Sequence, residues 1–154
     1  MTTHTPDKLP PALLALGAEP LDDADHALIA EANATLARHY KLLWHTIGAA
    51  VRSVDGRVWT GIHIGATVGR LSVCAEAVAF GRAVLEGDGS ISTVVAMRHP
   101  KPDEHDRRLA VVAPCGACRE MVVDYAPDAM VIVPAAAGPQ KWPARSLLPM
   151  PYRR

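Results

Sequence analysis

The sequence predicts an α/β fold, a three-layer α/β/α arrangement around a five-stranded mixed sheet. Three observations predict it. Segments of helical and of strand periodicity follow one another in the order helix, hairpin, helix, strand, strand, helix, strand, which suits a mixed sheet covered on both faces. An Asp-Gly pair, Asp55-Gly56, sits between two β-leaning runs and marks the hairpin. With 154 residues, 49% of them hydrophobic, the chain can bury roughly two-thirds of its unfolded surface in one core. One domain over residues 21–154 is therefore expected, preceded by a flexible arm over residues 1–20.

That arm, MTTHTPDKLPPALLALGAEP, is rich in Pro, Thr and Gly and has no periodicity. Next, Asp22, Asp23 and Asp25 precede Leu28, Ile29, Ala32, Leu36 and Ala37 at helical spacing, which predicts an amphipathic helix ending near His39. Residues 46–54 and 57–64 are the two hairpin strands. After a Gly-punctuated loop over 66–72, CAEAVAFGRAVLEGD places Ala75, Val78, Ala79, Val84 and Leu85 on one helical pattern that starts at Cys74 and stops at Gly87 and Gly89. Residues 91–97 form a third strand, HPKPDEHDRR a polar loop, and 109–113 a fourth strand. Pro114 then opens a short helix, CGACREMVVDYA, and 130–133 form the fifth strand. The interval 134–143 is rich in Ala, Gly and Pro but too close to the C-terminus to separate a second domain, and the apolar tail over 146–152 is expected to pack down. Neither an internal repeat nor a linker is visible.

Sixteen Lys plus Arg balance sixteen Asp plus Glu, so no strong field favours nucleic acid or an anionic membrane. Arg107 and Arg108, and Arg153 and Arg154, form two small clusters that read as solvated surface. No stretch reaches the ~18 apolar residues of a membrane span, and the N-terminus lacks a basic start with a long apolar run. A cytoplasmic protein with no membrane partner is expected.

Three cysteines cannot all close disulfides, and two of them stand as C-x-x-C. Metal ligation accounts for all three. Cys74 is placed at the start of one helix and Cys115 and Cys118 in the first turn of another, so their sulfurs can converge where unpaired N–H groups stabilise thiolates. Three protein ligands leave the fourth tetrahedral position of a zinc ion free for water, as in catalytic sites. Glu76, two residues past Cys74, falls in the same first turn and can act as general acid and base. Each residue also has a plainer reading. Cysteines are often small buried apolar residues, C-x-x-C can be a redox pair or half of a structural zinc site, and Glu76 can serve the helix dipole. Trp44, Trp59 and Trp142 read as packing residues, His26 and His39 as helix surface, and His99 and His105 as solvated loop residues.

The combination Cys74-Ala75-Glu76 and Pro114-Cys115-Gly116-Ala117-Cys118 matches the zinc deaminase signature. Over residues 40–152 the chain resembles the small homo-oligomeric cytidine deaminases and the related blasticidin-S deaminases. GAAVRSVDGRVWTG resembles the family's first hairpin, CAEAVAFGRAVLEGD its first zinc helix, PCGACRE its second, and SLLPMPY its C-terminal Leu-Leu-Pro segment. The resemblance implies a cytidine-deaminase-like fold, a Zn2+ ion on Cys74, Cys115 and Cys118, and hydrolysis at the amine-bearing carbon of a small aminated heterocycle. Glu76 would take the proton of water, deliver protons to the ring nitrogen and the departing amine, and so release ammonia. A homo-oligomer, dimer or tetramer, with sites completed by neighbouring chains is implied as well.

Departures from the family pattern bear on the substrate. Many relatives with three cysteines carry Arg directly after the Glu, where this chain has Ala77, so helix N-termini and Arg119 would have to offset the thiolate charge. The Asn and Glu that hold ribose and base in nucleoside deaminases align with His63 and Gly65. His45 takes the first-strand position often held by Phe, Tyr152 takes the C-terminal aromatic position, and Ala75 joins them in the substrate-binding set. Losing the carboxylate should weaken nucleoside binding by about 1–3 kcal/mol, which favours a polar heterocycle without the usual sugar. Two other readings compete. A polynucleotide-editing deaminase usually has His at the position of Cys74 and a basic groove. A catalytically inactive zinc-binding or redox protein would not need Glu76.

Overall fold

In the computed structural model, which describes residues 17–152, helix α1 (Asp23–His39) starts at a capping box. The Asp25 N–H donates to Asp22 Oδ1 at 2.9 Å, and the Asp22 N–H donates to Asp25 Oδ2 at 3.2 Å. Two free N–H groups of the first turn are thereby satisfied. The hairpin follows as β1 (Ile47–Ser53) and β2 (Val58–Ile62), with Gly56 at a φ of 89° in the turn, a conformation that glycine adopts without a Cβ clash. Then come α2 (Ala75–Glu86), β3 (Ile91–Arg98), β4 (Ala110–Val112), α3 (Gly116–Tyr125), β5 (Met130–Val133), β6 (Gln140–Pro143) and a final 3-10 turn, Ala144–Leu147.

The sheet has six strands where the sequence reading expected five. Its order is β2-β1-β3-β5-β6, with β4 also paired to β3. The extra strand is β6, antiparallel to β5 within the Ala/Gly/Pro-rich interval. Its four residues are too few, and too close to Pro139 and Pro143, to show strand periodicity. The β3–β5 pair is parallel and the others are antiparallel, so the sheet is mixed as expected.

Alternation along β1 sorts the layers. Ala50 joins Leu28, Ala32 and Leu36 of α1, with Val95, Met97 and Ile132, in one buried cluster. Ala49 and Val51 face the other way, against Ala75, Ala79, Phe80 and Ala83 of α2 and Val122 of α3. One helix therefore covers one face and two cover the other. Trp59 and Trp142 are buried in the second cluster, as expected of packing residues. Trp44 is 40% exposed and takes no such place. The tail departs from expectation only at its end: Leu147 packs on the second cluster, while Met150 and Tyr152 are 96% and 77% exposed.

Asp25 ties the layers together. The carboxylate is fully buried, and besides capping α1 it accepts from Arg52 Nη2 of β1 at 2.8 Å and pairs with Lys141 Nζ of β6 at 2.8 Å. Lys141 also reaches Asp22 at 2.9 Å, and its backbone exchanges hydrogen bonds with Glu19. The end of the expected arm is thus paired to the sheet edge, while residues 1–16 and the arginines at 153 and 154 lie outside the described residues. Among the described residues no helix is long and apolar enough to cross a membrane.

Removing one member of a buried ion network leaves charge uncompensated, which costs about 3–5 kcal/mol. Asp25→Ala is expected to lower the unfolding free energy by that amount in urea titrations. Asp128→Ala, at an exposed pair with Arg145, should leave stability nearly unchanged.

Candidate active site

Both helices on the second face begin at a cysteine. Cys74 is the N-cap of α2 and Cys115 the N-cap of α3, each with extended backbone, and Cys118 lies in the first turn of α3. Two contacts bring these starts together. Gly61 of β2 lies against the carbonyl of Ala75 and the N–H of Ala79; a Cβ there would stand 2.6 Å from that nitrogen, so α2 can sit this close to the hairpin only over glycine. On the other side, β4 and β5 share one edge of β3 end to end, β4 opposite residues 96–98 and β5 opposite residues 93–95. The chain leaving β4 must therefore turn out of the sheet at Ala113-Pro114, and that turn delivers Cys115.

The Sγ atoms of Cys74, Cys115 and Cys118 all lie within 4.8 Å of one another. Cys74 and Cys115, 41 residues apart, have their sulfurs at 3.7 Å. For Zn–S bonds of ~2.3 Å in a tetrahedron the sulfur–sulfur edge is about 3.8 Å, so this pair already stands at the ligand spacing of zinc. Burial pushes the Cys74 thiol up and the Cys118 thiol far up. Burial acts the same way on Cys115, but the Cys118 N–H and the neighbouring thiols outweigh it and leave that group lowered. No side-chain hydrogen bond of ordinary geometry caps either helix. The unpaired N–H groups of the first turns remain as partial positive charge facing the sulfurs.

Glu76 is 5% exposed, and burial raises its carboxyl while its own backbone N–H and then the Cys118 thiol pull the other way. The carboxyl therefore sits beside Cys118. Among the described residues no Lys or Arg pairs with it. A buried carboxyl without a cation partner is what a proton-transfer group with an elevated pKa requires. Ala75, between Cys74 and Glu76, is fully buried, with its carbonyl over Gly61.

The two histidines come together at the exit of the hairpin. His45 Nδ1 lies 2.8 Å from the His63 carbonyl; a carbonyl only accepts, so Nδ1 is the donor. Burial first, and then the nearby His45, hold His63 below the usual imidazole value. Ile64 and Val73 exchange backbone hydrogen bonds at 3.0 and 2.9 Å, and the next pair in that antiparallel register is His63 and Cys74. The backbone at His63 thus runs beside the first cysteine. Tyr152 does not join this group within the chain; it borders a hollow with Glu120, Asp124 and Tyr125 of α3. His99 is not solvated as the sequence reading had it: it stacks on Tyr40 with ring centroids 3.5 Å apart.

Gly65 shows what the sequence alone could not. Its N–H donates to the Trp44 carbonyl at 2.7 Å, and a Cβ would stand 2.7 Å from Leu43 O and 3.0 Å from Trp44 Cα. The turn over residues 41–45, with Leu43 at a φ of 68°, occupies the space of any side chain at position 65.

The comparisons with known proteins agree with this geometry. The family model described as the cytidine and deoxycytidylate deaminase zinc-binding region matches residues 22–134. The chain belongs to that family. It is 40% identical over 134 residues to a blasticidin-S deaminase of Bacillus cereus, covering 87% of this chain and 96% of that protein. A probable cytidine deaminase of Dictyostelium discoideum is 29% identical over 128 residues, 83% of this chain and 82% of that one. In three dimensions the deaminase chain superposes on the cytidine deaminase of Burkholderia pseudomallei with a TM-score of 0.68 at 27% identity, over 82% of this chain and 98% of that one. The cytidine deaminase of Mycobacterium tuberculosis, at 22% identity, shares the fold with a TM-score of 0.67 over 86% and 100% of the two chains.

A methyl group at position 65 must displace backbone, and overpacking of this kind costs about 1–3 kcal/mol. Gly65→Ala is expected to lose stability in that range by urea titration. Gly69→Ala, where a Cβ meets nothing, should be close to neutral.

Proposed function

We propose that this deaminase-family protein is a zinc-dependent hydrolase that removes the exocyclic amine of a small nitrogen heterocycle as ammonia. The observation that carries the reading is the buried Glu76 carboxyl beside Cys118, in a group of three sulfurs within 4.8 Å of one another, one pair of them 3.7 Å apart. Cys74, Cys115 and Cys118 would hold the metal, which when bound supplies a polarised water at its fourth position. Glu76 would take the two protons of the attacking water in turn, delivering one to the ring nitrogen and one to the leaving amine. Its raised pKa suits both halves of the transfer.

For the substrate, the reading rests on His45, His63, Ala75 and Gly65. Two imidazoles at the hairpin exit, where the His63 backbone runs beside Cys74, would offer hydrogen bonds to a polar ring, while the lack of room for a side chain at position 65 removes one partner for sugar hydroxyls. Tyr152 would reach a site only from a neighbouring chain. Its exposure supports that reading, as does an apolar hollow of Phe80, Val84, Leu85, Met121 and Tyr125 open at the surface. A homo-oligomer follows, with a solution mass by light scattering of two or four times 16.4 kDa. A monomeric mass would contradict it.

Glu76→Gln is expected to keep one zinc per chain and to lower ammonia release by 10²–10⁴-fold or more. Full activity in that variant would refute the assignment. A screen of aminated pyrimidines, purines and triazines, their nucleosides, and blasticidin S, the compound in the name of the Bacillus cereus relative, separates the substrates. Higher kcat/KM for a free base such as cytosine than for cytidine is the expected result; a strong preference for cytidine would overturn the sugar-free reading.

A further inference from the structure

Arg119 follows Cys118 directly, and its contacts are unlike those of a surface arginine. The half-buried guanidinium donates from Nε to Pro114 O at 2.9 Å and from Nη1 to Leu147 O at 3.2 Å. Its backbone N–H donates to Cys115 O at 3.0 Å. Among the described residues no carboxylate lies within ion-pair distance of it.

The chemistry of the turn gives these bonds their meaning. Pro114 has no N–H, so its carbonyl is the only backbone group through which that residue can be held. Arg119 takes this carbonyl with its side chain and the next one, that of Cys115, with its backbone. Both carbonyls that bracket the Cys115 backbone are therefore held by one residue. The far end of the strut is firm: Leu147 closes the 3-10 turn Ala144–Leu147, Ala144 is buried with its N–H on Ala129 O at 2.9 Å, and Leu147 packs on the larger core cluster. Arg119 thus spans from a core-anchored C-terminal turn to the peptide that presents Cys115. A guanidinium donates in a fixed plane from separated nitrogens, which suits two carbonyls on different segments better than a single ammonium does.

We propose that Arg119 is the positioning residue of the metal centre, bracing the Pro114–Cys115 peptide against the C-terminal turn. The inference rests on the zinc reading above. Cys115 and Cys118 would then be held in ligating position by a tie that reaches across 28 residues of sequence. Disturbing residues 144–147 would disturb the metal.

The test is the rate of zinc transfer from the full-length holoenzyme to a chromophoric chelator, at a temperature where every variant is folded, read beside kcat and KM. Arg119→Gln is expected to release zinc at least tenfold faster and to lower kcat more than it changes KM. Arg119→Lys keeps the charge but donates from one nitrogen, and should fall between Gln and the parent. Asp25→Asn, on the opposite face of the sheet, controls for general loosening: it should lower the unfolding midpoint and release zinc at the parent rate. Parent-like release from Arg119→Gln, or equal acceleration by Asp25→Asn, would overturn the proposal. Should the Gln variant not fold, the Lys variant decides, since an unchanged rate there also overturns it. If the parent protein itself holds no zinc, the deaminase reading fails and this one with it; a parent that holds zinc confines any failure to Arg119.

Discussion

Holding two sulfurs 3.7 Å apart when their residues are 41 positions apart in sequence forces two helices to begin at one place, and much of the architecture follows from that demand. Helices α2 and α3 must lie on the same face, and their N-termini must meet where the chain leaves the sheet. The hairpin lets α2 approach through Gly61. The short β4, stacked end to end with β5 along β3, ejects the chain at Pro114 at the right height. Helix α1, on the far face, touches none of the ligands. Its buried Asp25 instead links β1 to β6, which fixes the sheet on which the site-bearing helices stand.

The same convergence concentrates negative charge. Burial disfavours charge at Cys74, Cys118 and Glu76 and raises all three, and neighbouring charges add to it at the two thiols. Binding a divalent cation reverses that balance and releases thiol protons. Helix N-termini supply partial positive charge, and Arg119 holds the carbonyl of Pro114, the residue before Cys115. Ala77 adds no charge there, where many relatives with three cysteines have arginine. A site so arranged is a local cost to the metal-free fold, offset by the core and by the Asp25 network.

Most of the fold was legible because it rests on short-range signals. The acidic start of α1, the Asp-Gly turn, the apolar spacing after Cys74 and the strand 130–133 are local patterns, and each lies within two residues of its observed element. Strand β6 was not legible, because its pairing is imposed by β5 and not by its own four residues. The tail over 146–152 read as packed from its apolar composition, which does not say where along it the core ends: Leu147 packs, and Met150 and Tyr152 do not. The cysteines and Glu76 were visible as a pattern, since their chemistry requires fixed spacing at two helix starts. Gly65 and Arg119 were visible only as identities. Whether a glycine is crowded by a turn 21 residues earlier, or which carbonyl an arginine holds, depends on contacts that no local pattern encodes.

The central claim is a zinc ion held by three sulfurs with one position left to water. X-ray absorption at the zinc edge of the purified protein measures that coordination directly. The account predicts three sulfur neighbours at ~2.3 Å and one oxygen at ~2.0–2.2 Å, with the three-sulfur shell unchanged in Glu76→Gln. A shell of four sulfurs, a shell with histidine nitrogen, or no zinc at all would contradict it.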